Sequence, residues 1–279
     1  MRDRQRLLAA PLVVYVVAFV GWPAVRALEL AFTDGTTGAF PSLASFRVLA
    51  DDALFWRAVA GNVVLPVLTV ALELASGLAL ALLLATRLPA RRLLRLAVVV
   101  PFALPEIVFL TVVRYLLAPR GYANAALAAA GLGPVDWLAP GRTATWLTVV
   151  AVDAWHTTPI VFLMLLAALA AIPPEIDEAA RLDGAGGVRR LVHVTLPLLA
   201  PAIVAAVFLR GLDALRVFAT PLVLTGVEGV PVLSTYAYHQ WSDYGDDGAA
   251  AAAASLLALL SVVLTVPLLR WRLRPAGAR

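Results

Sequence analysis

The chain has 279 residues, 62% hydrophobic and 14% charged, with a formal net charge of +4 and a mean hydropathy of +0.88. That is more apolar than a soluble domain tolerates and points to a polytopic membrane protein. With no cysteine and three dispersed histidines, a disulfide framework, a thiolate metal site and a histidine metal cluster are excluded.

Six apolar runs are long enough to cross a hydrocarbon core, which takes about 20 helical residues. They are predicted at about 7–27, 58–86, 93–117, 145–171, 198–224 and 249–270. The first follows RDRQR and leads into Gly21-Trp22-Pro23 without a small-residue cleavage site, which predicts an uncleaved signal anchor. Six spans put both termini on one side. If that side is the cytoplasm, fourteen arginines lie on cytoplasmic flanks: Arg2, Arg4, Arg6, Arg87, Arg91, Arg92, Arg95, Arg181, Arg189, Arg190, Arg270, Arg272, Arg274 and Arg279. Arg26, Arg47, Arg57, Arg120 and Arg142 fall outside, and Arg114, Arg210 and Arg216 lie within or near spans. This bias sets both termini in the cytoplasm and explains the basic pI without nucleic acid. The outer loops, about 28–57, 118–144 and 225–248, carry Trp56, Trp137 and Trp241, which suit an interfacial belt. Residues 248–254 are a run of small residues, read either as a close-packing face or as compositional drift.

The largest cytoplasmic loop contains EAARLDGAGGVRRLVHVTLP, 178–197. Ile172-Pro173-Pro174 ends the fourth span, because proline cannot continue a helix. A short helix follows, with Glu175, Asp177 and Glu178 in its first turns, and Gly184, Gly186 and Gly187 permit a sharp turn. Residues 188–194 are predicted as a second short helix before Leu196-Pro197 opens the fifth span, giving a helix-turn-helix along the membrane surface.

Glu178-Ala179-Ala180, then Gly184 and Val194-Thr195-Leu196-Pro197 at fixed spacing, resemble the EAA loop of ABC importer permeases, departing by Val194 where the pattern has isoleucine. Pro101-Phe102-Ala103-Leu104-Pro105, Gly121, Asn124, Asp153-Ala154-Trp155, Pro159 and Leu224-Thr225-Gly226 look like maltose- and trehalose-type members, and FLRGLDALRVF, 208–218, most like the trehalose type. Asn62-Val63, the insertion Val227-Glu228-Gly229-Val230 before Pro231, and the first outer loop depart from the carbohydrate pattern. The resemblance implies an all-α integral membrane protein, one permease domain over 1–279, of the type I ABC importer fold, with a cytoplasmic EAA coupling helix between helices 4 and 5. It implies ATPase-coupling roles for Glu178, Ala179, Ala180, Asp183, Gly184, Leu196 and Pro197. It further implies a bacterial inner-membrane location, a homologous second permease, two ATP-binding cassette subunits and an extracytoplasmic sugar-binding lipoprotein.

A permease needs polar groups at mid-membrane that are kept from lipid. Asp153, His156, Thr157 and Ile160 follow i, i+3, i+4, i+7 spacing, as do Arg210, Asp213, Ala214 and Val217. By the resemblance, the sugar-contacting positions of the maltose-type permease fall on these same faces. Planar polar side chains suit sugar hydroxyls; the alternative is an intramembrane ion pair, Arg210 or Arg216 with Asp213, that holds helices together. Asp153 with His156 also permits a proton-relay reading. Glu73 and Glu106 are candidate structural partners of Arg114.

The sequence has no Gly-rich Lys-Ser/Thr phosphate loop, so the chain is expected neither to bind nor to hydrolyse ATP, and ATP and Mg are expected on the partner ATPase subunits. The rival readings are an ABC permease for another solute (polyamine, phosphate or glycerol phosphate), a proton-coupled secondary transporter or channel, and, more distantly, an intramembrane enzyme, for which no nucleophile or metal constellation stands out.

Overall fold

Proline and local hydrogen bonding decide where the apolar runs bend. The computed structural model describes residues 11–86 and 89–272, with side chains described up to residue 266. Residues 7–10 of the first predicted span and Arg2, Arg4, Arg6, Arg87, Arg274 and Arg279 lie outside the described residues, as do the side chains of Arg270 and Arg272. All regular structure among the described residues is helical: α1 (Pro11–Ala31), α2 (Ala44–Asp51), α3 (Ala53–Ala85), α4 (Arg91–Ala103), α5 (Glu106–Leu116), α6 (Tyr122–Ala129), α7 (Thr143–Ala170), α8 (Pro174–Leu182), α9 (Gly187–Ala214), α10 (Ala219–Gly229), α11 (Leu233–Ser242) and α12 (Asp247–Arg272). Five of these, α1, α3, α7, α9 and α12, are long and apolar enough to cross a membrane, and the bent pair α4 and α5 meets the same length and hydropathy when taken together.

Three sequence expectations need correction. The third predicted span is not one rod: α4 and α5 meet at 98°. Pro105 lacks an N–H and disfavours helical geometry in the residue before it, and Leu104 is extended, at φ −82° and ψ 142°. The fifth predicted span, 198–224, breaks after Ala214 and resumes as α10. There the Nδ2 of Asn62 donates to the Leu215 carbonyl at 2.9 Å, while Pro221 cannot donate to a carbonyl one turn back. Finally, residues 188–194 do not form a separate helix. They run into α9 through a π-helical turn at Leu191–Thr195, a wider turn placed just before Pro197, which can give no N–H to the turn behind it. The outer loops, for their part, contain the short helices α2, α6 and α11.

The chain forms two compact units, one taking residues up to Ala60 together with Pro231–Pro267, the other Gly61–Val230. The first unit packs Ala31, Leu49, Phe55, Leu233, Tyr236 and the alanines 249 and 251–253 into one core. The small-residue run thus is a close-packing face, and a Cβ on Gly248 would stand 2.7 Å from the Ser45 hydroxyl. Burial and a hydrogen bond to Asp52 at 2.7 Å push the Tyr236 phenol above its ordinary range, while Gln240 donates to its oxygen at 2.8 Å. In the first outer loop the Asp34 carboxylate accepts from the Thr36 hydroxyl, the Thr36 N–H and the Thr37 N–H, which holds its pKa at about 2.

In the second unit α3 crosses α7 closely. A Cβ on Gly77 would come within 2.9 Å of the Val161 side chain and 3.1 Å of the Phe162 nitrogen. Small residues at such crossings let membrane helices gain van der Waals contact where lipid offers no hydrophobic driving force between them. Ala81, Leu84, Phe162, Leu165 and Ala206 fill the core beside it. Arg95 on α4 donates to the Leu84 carbonyl at 2.8 Å, satisfying an end group of α3.

Asn124 organises the second outer loop. Its Nδ2 donates to the carbonyls of Pro119 at 3.1 Å and Val135 at 3.0 Å, and its Oδ1 accepts from the Val135 N–H at 3.0 Å and the Trp137 indole at 3.1 Å. Trp137, expected from the sequence as an interfacial ring, is here a loop anchor. Asn124→Ala leaves these partners without it and is expected to destabilise by about 1–3 kcal/mol. Thermal unfolding of the solubilised protein should show a lowered midpoint; an unchanged midpoint would mean the loop does not depend on this side chain.

Candidate functional site

Three helices in the second unit, α5, α7 and α9, deliver polar side chains to one place. α7 carries Asp153, His156, Thr157 and Ile160 on one face, and the end of α9 carries Arg210, Asp213 and Ala214, with Val217 just beyond. All eight residues line a single cavity of about 300 Å³, joined by Phe102, Glu106, Arg216, Phe218 and Ala219. The breaks at Leu104-Pro105 and at 215–218 border this cavity: Phe102 and Glu106 flank the first, and Arg216, Val217 and Phe218 lie in the second.

Behind this lining lies Glu73 of α3, which is fully buried. Its Oε2 accepts from the Nε of Arg210 at 2.8 Å and its Oε1 from Nη2 at 2.9 Å, a two-point guanidinium–carboxylate contact. The hydroxyl of Thr157 donates to the same Oε1 at 2.5 Å. The Nη1 of Arg210 pairs with Asp213 one turn along α9. The predicted Arg210–Asp213 ion pair is therefore present, but it is the outer half of a triad. Glu73 pairs with Arg210 and not with Arg114; among the described residues no ion pair joins Arg114 to Glu73 or Glu106, and none joins Arg216 to Asp213. The lone carboxylate of a mostly apolar 33-residue helix was the sequence signal, since such a group must find a cation. The partner lay 137 positions away, beyond the reach of periodicity.

Asp153 is buried and accepts from the Thr220 hydroxyl of α10 at 2.6 Å. His156 is buried with its Nε2 lacking a hydrogen-bond partner, its ring packed 4.8 Å from that of Phe109 and 6.0 Å from that of Phe102. Asp153 thus spends its Oδ1 on a hydroxyl while the histidine sits among aromatic rings, an arrangement unlike a carboxylate–histidine relay.

The second cluster of predicted residues lies on α8, the turn after it and the first half of α9. Glu178 and Ala179 are exposed on α8 and Ala180 is buried beneath them. The helix closes with Gly184 in the left-handed region at φ 75°. The Ala185 N–H reaches the Ala180 carbonyl and the Gly184 N–H the Arg181 carbonyl, each at 3.0 Å, the paired bonds of a glycine-terminated helix. Asp183 and Gly184 stand exposed at the tip beside Leu182, 90% exposed. Leu196 and Pro197 lie within α9, after the π-helical turn, so these seven residues occupy two helices and the turn between them. Asp177 clasps the two helices, pairing with Arg181 at 2.8 Å and with Arg190 at 2.6 Å; the sequence reading had seen in it only a favourable first-turn charge.

The family model for the inner membrane component of binding-protein-dependent transport systems matches residues 74–270. The chain belongs to this family. The permease is 35% identical over 251 residues to the trehalose/maltose transport system permease protein of Thermococcus litoralis, covering 86% of this chain and 84% of that one. It also superposes on a chain of a bacterial ABC transporter involved in the import of the acidic polysaccharide alginate, with TM-score 0.83, 23% identity and 98% of each chain covered. The alginate transporter in complex with an alginate pentasaccharide-bound periplasmic protein matches with TM-score 0.83 and 23% identity, over 95% of this chain and 93% of that one. The permease thus has the all-α fold of type I ABC importer permeases, as the EAA spacing led us to expect.

Removing Glu73 leaves the guanidinium of Arg210, which is 3% exposed, with only the outer carboxylate of Asp213 as its ionic partner. Glu73→Ala is expected to cost about 3–5 kcal/mol. Asp213→Ala removes a carboxylate that is 62% exposed and leaves the Glu73 contact intact, so it should cost less than about 1 kcal/mol. Thermal unfolding of the solubilised, assembled complex separates the two, and equal losses would contradict the triad's inner-and-outer arrangement.

Proposed function

We propose that the chain is one of two permease subunits of an ATP-driven importer and forms the translocation path for a sugar: trehalose, maltose or a similar di- or oligosaccharide. The observation that carries this is the convergence of both predicted polar faces on one cavity, whose volume of about 300 Å³ is at the lower end of small-molecule sites. Asp153, His156, Thr157 and Arg210 offer hydrogen-bonding groups suited to hydroxyls, and Phe102 and Phe218 offer apolar surface for a sugar ring. Likeness to a trehalose/maltose permease supports the substrate class.

In this reading a homologous second permease completes the path, and an extracytoplasmic binding protein delivers the sugar. Two ATP-binding subunits bind and hydrolyse ATP with Mg, and this chain performs no catalysis. The permease lies in a bacterial inner membrane with both termini in the cytoplasm. The knob of Glu178, Asp183 and Gly184 seats on an ATP-binding subunit, and closure of the nucleotide-binding pair moves it, switching the cavity from outward to inward access. A polyamine permease is the second reading, favoured by the three carboxyl groups of Glu106, Asp153 and Asp213 on the cavity wall; binding of trehalose against spermidine to the cognate binding protein separates the two.

The test is uptake of labelled trehalose and maltose into vesicles carrying the complete complex, with and without ATP. Uptake should require ATP and should be abolished by Glu178→Lys while the complex still assembles. ATP-independent uptake, or full uptake by Glu178→Lys, would overturn the coupling role of this loop.

A further inference from the structure

The cavity wall contains a guanidinium, yet that guanidinium is not available as a cation. Arg210 gives Nε and Nη2 to the two carboxylate oxygens of Glu73 at 2.8 and 2.9 Å, and Nη1 to Asp213. The planar fork of an arginine is a natural seat for a carboxylate, sulfonate or phosphate, and here its two-point edge is already filled by a buried side chain of the protein. Glu73 does not itself line the cavity. It stands behind two residues that do, Arg210 and Thr157, and touches both. Glu106 and Asp153 add further carboxyl groups to the wall against the single remaining guanidinium among its lining residues, that of Arg216.

We propose that Glu73 is a specificity-determining residue: it masks the charge of Arg210, so that the cavity engages neutral hydroxylated solutes and turns away anionic ones. This rests on the reading of the cavity as the solute site. With Glu73 in place, Arg210 offers a solute hydroxyl its remaining N–H groups from a cluster without net positive charge. An entering anion meets the exposed carboxylate of Asp213 and the field of Glu73, which is fully buried with little water to screen it. Discrimination therefore arises from an unfavourable element built against the wrong solute. Without Glu73, the same fork becomes an anion seat.

The experiment measures selectivity at the permease itself, because a binding protein imposes its own. Equilibrium dialysis of the detergent-purified complex of permease and ATPase subunits, with the binding protein omitted, is carried out with radiolabelled trehalose and with trehalose in which one hydroxymethyl group is oxidised to a carboxylate. The unmodified complex should bind the neutral sugar at least about tenfold more tightly. Glu73→Gln, which keeps the shape and removes the charge, should bring the ratio near one or invert it, through a gain in affinity for the carboxylate. Glu73→Asp should retain the preference for the neutral sugar. Where Glu73→Gln does not assemble, Asp213→Asn removes the other, exposed carboxylate from the same guanidinium and must move the ratio in the same direction. An unchanged ratio in an assembled Glu73→Gln or Asp213→Asn complex, or equal loss of both ligands, overturns the masking role and leaves the site reading intact. Failure of the unmodified complex to bind either sugar overturns the site reading and the masking role together.

Discussion

The structure around the cavity depends on one buried ion pair, Glu73 with Arg210. Each charge alone would be prohibitively costly where water is scarce, and the pair is tolerable because its geometry is two-pronged and the remaining lone pairs are used. Glu73 also accepts from Thr157, and Arg210 also donates to Asp213, so α3, α7 and α9 are joined through a single carboxylate. Next to it Asp153 and Thr220 tie α7 to α10. These polar ties take the place of the hydrophobic effect, which cannot drive helix association in lipid, and they act beside the close crossing at Gly77.

The same helix that presents Arg210 begins at the turn after α8. α9 is continuous from Gly187 to Ala214, a rod of roughly 40 Å at 1.5 Å per residue. Its π-helical turn absorbs Pro197 without a break, and the Asp177–Arg190 clasp fixes α8 to its first turn. In this account the rod is the mechanical link between a partner ATPase and the cavity. Motion at the loop reaches Arg210 without crossing a flexible joint, and the breaks that do exist, at Leu104-Pro105 and at 215–218, border the cavity rather than the lever.

Much of this was legible in the amino-acid order, for physical reasons that can be named. Hydropathy reveals candidate spans because a bilayer sets a minimum length. The i, i+3, i+4, i+7 spacing put Asp153, His156, Thr157 and Ile160 on one face, and Arg210, Asp213, Ala214 and Val217 on another. Helical periodicity is local and accounts for seven of the eight side chains that the cavity gathers; Val217 lies past the end of α9 and reaches the wall from the break. Glu73 was assigned to Arg114, the wrong cation, since its pairing with Arg210 over 137 positions is a tertiary fact. The bend at Pro105 and the break after Ala214 were hidden for a related reason. Proline in a membrane helix can be accommodated, as Pro66 and Pro159 are inside α3 and α7, so proline alone does not say which helix will break.

The central claim is that a solute passes the cavity between α7 and α9. The chain has no cysteine, so Val217→Cys places a lone thiol of this subunit on the cavity wall. The measurement is its rate of reaction with a small water-soluble maleimide in the assembled complex, in a background where the partner subunits carry no accessible cysteine. The account predicts that saturating trehalose or maltose slows the reaction, and that trapping the ATPase in its closed state with vanadate changes the rate again. A rate indifferent both to sugar and to nucleotide state would contradict it.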